Sequence, residues 1–295
     1  MKTAAPGKLV LSGAYAVLWG APAIVTAVDR YVIADSSRTA ELRTAEVDCA
    51  LGTRAAPWFD ARALRADRRK LGLGSSAAIV VASLGALALD DDPTLETSSL
   101  RSRVFPVARS AHRTAQGGGS GVDVAASCFG GTLRCAMRGE ELGVAAYALP
   151  PGLEIVAYAD RQSSSTANMV SSVKGWAALQ AAAFERLMGR LGEQATRASD
   201  ASSAREFMDA LRAQVLLLAD LGDAAGVPIV PEALRPIATD AAADGVVVMP
   251  SGAGGGDMVL CVGSGLAGAP WGDRLAQAGL ERLELRVDAV GLRRA

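Results

Sequence analysis

Three glycine clusters in this chain stand beside residues able to handle phosphate. The first, Leu71-Gly72-Leu73-Gly74-Ser75-Ser76-Ala77-Ala78, runs from a glycine loop straight into an apolar stretch. Glycines let backbone approach a ligand closely, and the free amides and positive end of a helix favour an anion. A nucleotide phosphate suits this arrangement; so does a plain turn with Ser75 or Ser76 as N-cap. G-x-x-x-x-G-K-[ST] is absent and G-x-G-x-x-G fails at Ala77, so neither pattern accounts for the cluster. The second, Gln116-Gly117-Gly118-Gly119-Ser120-Gly121-Val122-Asp123, puts Asp123 in the first turns of a helix. A carboxylate there caps the helix, or holds a lysine and orients a reacting hydroxyl or phosphate. The third, Pro250-Ser251-Gly252-Ala253-Gly254-Gly255-Gly256-Asp257, is too glycine-rich for an ordinary hairpin. It suits close packing of backbone against a ligand, or a surface loop.

The charged residues narrow the chemistry. Of 30 basic residues only Lys2, Lys8, Lys70 and Lys174 are lysines, so each lysine is worth asking about. His112 is the single histidine, which excludes a zinc site built on several imidazoles. A formal charge of −1 over 295 residues argues against a nucleic-acid partner. Cys49, Cys128, Cys135 and Cys261 have no C-x-x-C spacing, and the first residues lack a signal-peptide core, so a cytoplasmic location is expected. Glycine, proline and serine interrupt the two longest uncharged stretches, so no membrane span is expected.

These residues need elements to carry them. Lys8 to Ile33 reads as strands and tight turns. Helices are expected over Ala77–Leu89, over Ser98–Gln116 with Pro106 a candidate break, and from Ser120 or Gly121 to Cys128. After Leu149-Pro150-Pro151-Gly152, a strand at Leu153–Ala159 precedes helices at Thr166–Leu191 and Ala204–Ala225. Strands at Val246–Met249, Met258–Val262 and Leu283–Val290 complete an α+β second half, with the domain boundary near Pro150.

Taken in order, the clusters resemble a known family. Pro6-Gly7-Lys8-Leu9-Val10-Leu11-Ser12-Gly13-Ala14-Tyr15-Ala16-Val17-Leu18 is similar to the first motif of the GHMP kinases, Gly72–Ala78 to the second and Ser251–Asp257 to the third. Ala111-His112-Arg113-Thr114-Ala115-Gln116-Gly117, leading into Gly119-Ser120-Gly121-Val122-Asp123, most resembles the phosphomevalonate kinase branch. Mevalonate kinases usually carry a magnesium-binding glutamate where His112 stands. The resemblance implies a two-domain α+β fold. Residues 1–150 would form an N-terminal α/β domain (ribosomal protein S5 domain 2-like), and 151–295 a ferredoxin-like α+β domain.

It further implies an ATP-dependent kinase acting on phosphomevalonate, a small acid, with a homodimer as a candidate assembly. Lys8 and Asp123 would be catalytic. Gly72, Leu73, Gly74, Ser75, Ser76 and Ala77 would hold ATP, with Ser76 near Mg²⁺. Tyr15, His112, Ser120, Gly121, Arg161, Ser163, Ser251, Gly252, Ala253 and Gly254 would face the acceptor, and Arg113 and Lys174 add charge that suits its phosphate or carboxylate. Relatives often carry Glu where this chain has Ala14. A mevalonate diphosphate decarboxylase, suggested by Ser163-Ser164-Ser165-Thr166, a mevalonate kinase and a sensor without turnover are the alternatives.

Overall fold

The structure, a computed structural model, describes residues 1–66, 69–160, 166–266 and 271–295. The chain opens with β1 (Lys2–Ser12) and β2 (Ala23–Thr39), followed by α1 (Ala45–Leu51), β3 (Pro57–Asp60) and the short pair β4 (Arg65–Ala66) and β5 (Arg69–Lys70). Three helices come next: α2 (Ser75–Asp91), α3 (Thr97–Ala115) and α4 (Val122–Phe129). The hairpin of β6 (Thr132–Arg138) and β7 (Glu141–Ala146) leads to β8 (Glu154–Asp160). The helices α5 (Thr166–Leu179), α6 (Ala181–Ser199), α7 (Ala204–Ala225) and α8 (Leu234–Ala243) then precede β9 (Val247–Pro250) and β10 (Met258–Gly263). The chain finishes with α9 (Trp271–Gln277), β11 (Leu280–Leu283) and β12 (Arg293–Arg294).

The first sheet has the order β12-β1-β2-β6-β7, with β3 also on β2. Its interior strand β1 is covered on both faces: Leu9 and Leu11 join the main core, while Val10 packs with Val25, Val122 and Ala125 in a second cluster. A strand buried on both sides reads as a continuous apolar run instead of an alternating one, which is how Leu9-Val10-Leu11 reads. The second sheet has the order β11-β8-β10-β9, antiparallel throughout. Numbered from β8, that is 4-1-3-2, the ferredoxin-like arrangement, so the expected α+β architecture is present. One core joins the halves, taking in Leu9 and Leu11 together with Phe184, Leu211, Val248 and Leu260.

Three expectations change. Pro106 does not break α3: it lies on the exposed side, and the buried stripe of Leu100, Val104, Ala108 and Ala111 continues past it. The long helix expected over Thr166–Leu191 divides at Gln180, where φ is −133° and ψ 49°. Trp176 and Phe184 meet edge to face across this kink, with ring centroids 5.9 Å apart, a contact that sequence spacing does not announce. The closing strand is Leu280–Leu283, not Leu283–Val290. Leu280 and Leu283 are its buried residues, and the chain then returns to the first sheet through bridges at Val287 and Val290 before β12 pairs with β1. Among the described residues, no helix is long and apolar enough to cross a membrane.

Candidate active site

The three glycine clusters converge on Lys8. A register shift at Pro6/Gly7 in β1 brings the strand against the first loop. Lys8 N–H donates to the Leu73 carbonyl at 2.9 Å, and Lys8 Nζ donates to the Gly72 carbonyl at 3.3 Å. The glycines are required by this closeness. A Cβ on Gly7 would lie 2.8 Å from the Leu73 oxygen, and one on Gly74 would lie 3.0 Å from both Cγ and Cε of Lys8. Gly74 also has φ +74°, a left-handed conformation that side chains resist. From the far side, a Cβ on Gly72 would meet that of Asp257 at 3.3 Å, and one on Gly252 would stand 3.9 Å from Lys8 Nζ. Lys8 is buried, with 7% of its surface exposed, where the loops meet.

Two helices begin at this junction without side-chain caps. The α2 helix starts after Gly74 and α4 after Gly121, both glycines in the left-handed conformation. Their first N–H groups are therefore available to an anion. Ser75 is buried, Ser76 half-buried, and Ser76 Oγ lies 3.3 Å from His112 Nε2. Leu73 and Ala77 are buried, so these two can offer a phosphate only backbone. His112 is also buried, and its Nδ1 has no hydrogen-bond partner.

Asp123 occupies the first turn of α4. Burial alone would raise its pKa, but the charges of Lys8 and His112 and its own backbone N–H outweigh that and hold the carboxyl below the usual aspartate value. The site thus carries an ionised carboxylate behind a lysine, with no direct ion pair between them among the described residues. Such an arrangement neutralises and aligns phosphate oxygens more readily than it removes a proton.

The third loop is fastened to the first sheet. Ser251 Oγ accepts from Val10 N–H at 2.9 Å and donates to the Val10 carbonyl at 3.1 Å. Tyr15, with φ +61°, donates its phenol to the Ala253 carbonyl at 2.7 Å, and burial raises its pKa, so it remains a donor. In this structure both side chains hold the loop. Gly254 is forced by Ile229, whose carbonyl oxygen would lie 2.2 Å from an added Cβ. Ala14 packs against the core, and at that corner Gln214 of α7 accepts from Gly13 N–H at 2.9 Å.

Ser120 is buried beside Gly121, and Lys174 reaches over the same loop, with Nζ 3.5 Å from where a Cβ on Gly118 would be. Arg113 turns instead to the Glu140 carbonyl, 3.4 Å from its Nη1. Arg161 and Ser163 lie outside the described residues. Sequence reasoning missed Glu46, a buried carboxylate of α1 that accepts from Gln116 Nε2 at 2.6 Å and feels the charge of His112. Its only local signal is a place in the first turn after Thr44, which reads as an ordinary helix start.

Comparison with known proteins agrees with this geometry. Residues 66–131 match the model of the GHMP kinases N terminal domain. Mevalonate kinase from Archaeoglobus fulgidus is 26% identical, with 75% of this chain and 80% of that protein covered. Phosphomevalonate kinase from Streptomyces sp. (strain CL190) is also 26% identical, over 86% of this chain and 87% of that protein. Among solved structures, Streptococcus pneumoniae phosphomevalonate kinase in complex with phosphomevalonate and AMPPNP superposes with a TM-score of 0.77 at 17% identity, covering 97% of this chain and 99% of that one. The match over residues 66–131, the two curated relatives and the shared fold make the chain similar to the GHMP kinases.

Proposed function

We propose that the protein transfers the γ-phosphoryl group of ATP to the phosphate of phosphomevalonate. The observation that carries this reading is Lys8, which sits between the Gly72 carbonyl, Gly74 and Gly252 with the ionised Asp123 nearby. A loose phosphoryl-transfer transition state needs alignment and neutralisation of its equatorial oxygens, which an ammonium and helix amides supply. The glycine loop and the start of α2 would cradle the nucleotide phosphates. An acceptor phosphate oxygen would form the new bond to the γ-phosphorus as the bond to ADP breaks. Arg161, Ser163 and Lys174 remain candidates for holding that acceptor.

The Lys8 charge that favours ionised Asp123 is compatible with a phosphate acceptor. A monophosphate is already ionised near neutral pH and needs little deprotonation, whereas an alcohol profits from a base with a higher pKa. Asp123 then orients Lys8 and the acceptor. Among the described residues, no group of three or more His, Cys, Asp or Glu side chains could hold a metal ion. This sparse donor set fits Mg²⁺ that arrives on the nucleotide phosphates, with the Ser76 hydroxyl as the protein's contribution. Bound there, the ion would neutralise phosphate charge.

The test is ADP release with Mg-ATP against phosphomevalonate, mevalonate, mevalonate diphosphate and homoserine, with CO₂ followed in parallel. ADP formed only with phosphomevalonate, without CO₂, is the expected result. Preference for mevalonate would make the acceptor the unphosphorylated alcohol, and CO₂ release would replace kinase with decarboxylase.

A further inference from the structure

Arg109 projects from α3 toward the hairpin of β6 and β7. Its Nε donates to the Ser120 carbonyl at 3.0 Å, and Nη2 donates to the Glu140 carbonyl at 2.7 Å, in the turn of that hairpin. The Sδ of Met137 lies 3.5 Å from the same Nη2. The arginine stem fills the space in front of Gly121, where an added Cβ would stand 2.8 Å from Arg109 Cγ. Ser120 and Gly121 immediately precede α4, whose first turn holds Asp123 and which has no side-chain cap. The backbone that launches this helix is thus held from outside, by a guanidinium.

We propose that Arg109 is a positioning residue for the acceptor side of the site: by bracing the Ser120–Gly121 backbone against the β6–β7 turn, it sets where Asp123 stands relative to Lys8. A planar fork suits the task because the two carbonyls belong to separate segments and must be held in one geometry, which a single ammonium on a flexible stem does poorly. Burial and the neighbouring charge of Arg113 both work against the charge on Arg109, lowering its pKa, and the side chain nevertheless stays committed to these carbonyls. The nucleotide side is fixed separately, through the bond from Lys8 N–H to the Leu73 carbonyl. Loss of Arg109 should therefore separate the two halves of the site kinetically.

The inference rests on the phosphotransfer reading for its kinetic arm alone, and a substrate-free measurement accompanies it. A cavity of about 700 Å³ opens beside Arg109, lined also by Phe105, Arg113 and Leu142, through which soluble guanidinium can reach the space that Arg109→Ala leaves. Arg109→Ala should lower kcat by about 30- to 100-fold with the KM for ATP unchanged within about twofold, the size expected of a misplaced catalytic group. Addition of about 20 mM guanidinium should restore about tenfold of this, while equal NaCl should not, and Arg109→Lys should remain impaired. In hydrogen exchange without substrate, the amides of residues 120–123 should exchange faster in Arg109→Ala and slow again with guanidinium. If the alanine variant does not fold, Arg109→Lys is read by the same exchange. Wild-type kcat in Arg109→Ala overturns the proposal, as does a loss that raises the KM for ATP in step and ignores guanidinium. If the wild-type protein turns over no acceptor, the kinase reading falls, and the exchange result decides the role of Arg109.

Discussion

The charge of Lys8 acts on Asp123 without a direct ion pair between them, and the proposed transfer gives each a separate role. Lys8→Met removes a cation held against both the first and third loops, and turnover should fall by about 10²- to 10³-fold, the scale of losing one preorganised oxyanion donor. ATP affinity, measured calorimetrically, should change far less, because the helix amides and glycine backbone remain. Asp123→Asn should also lower kcat while leaving ATP binding in place. Its pH behaviour follows from a folded pKa held below the ordinary value by Lys8 and His112 against the opposing effect of burial. The stability from that ionised carboxylate is fully present above the normal aspartate range and disappears as pH falls through the lowered value. Denaturation of wild type and Asp123→Asn should therefore differ most near neutrality and converge in acid. The kcat profile should show no acid limb from Asp123 between about pH 5 and 8, since an ordinary aspartate titrates at about 3.9 and the shift here is downward.

At the scale of elements, the loops are held by close contact, and substitutions there test the geometry directly. Gly74→Ala adds a methyl group 3.0 Å from the Lys8 stem at φ +74°. It should cost about 1–2 kcal/mol from the left-handed backbone alone and weaken ATP binding, as read by denaturation and titration. Gly254→Ala should be worse than Gly74→Ala in the same denaturation series, because the obstacle is the Ile229 backbone and not a flexible side chain. Tyr15→Phe removes one buried hydrogen bond to Ala253 and should destabilise by about 1 kcal/mol. Much of this was legible in the sequence. Glycines clustered beside Lys8 and Asp123 declare a close backbone approach by local spacing. Glu46 and Gln116 were not legible, because their bond joins residues 70 apart. The same holds for Arg109: one arginine among many looks like a solvated charge until the β6–β7 turn folds against it. Gln180 gave no glycine or proline warning of the break between α5 and α6.

Over the whole molecule, the second half reaches back into the first. Leu292 is fully buried and packs on α2 so tightly that a Cβ on Gly85 would lie 2.8 Å from its Cδ1. Its N–H donates to the Ser127 and Cys128 carbonyls of α4. Leu292→Ala should cost about 2–5 kcal/mol in chemical denaturation, and its effect should reach the first glycine loop through α2. The continuous core predicts a single unfolding transition reported alike by probes in either half. The strand β12 gives this arrangement a consequence in time. During synthesis, β1 forms early but acquires its outer neighbour only when Arg293 and Arg294 emerge. At about 5–20 residues per second, the nascent protein therefore carries an open sheet edge for roughly 15–60 s. A ribosome stalled shortly before those arginines would present that edge to other chains, making the stalled product a substrate for chaperones.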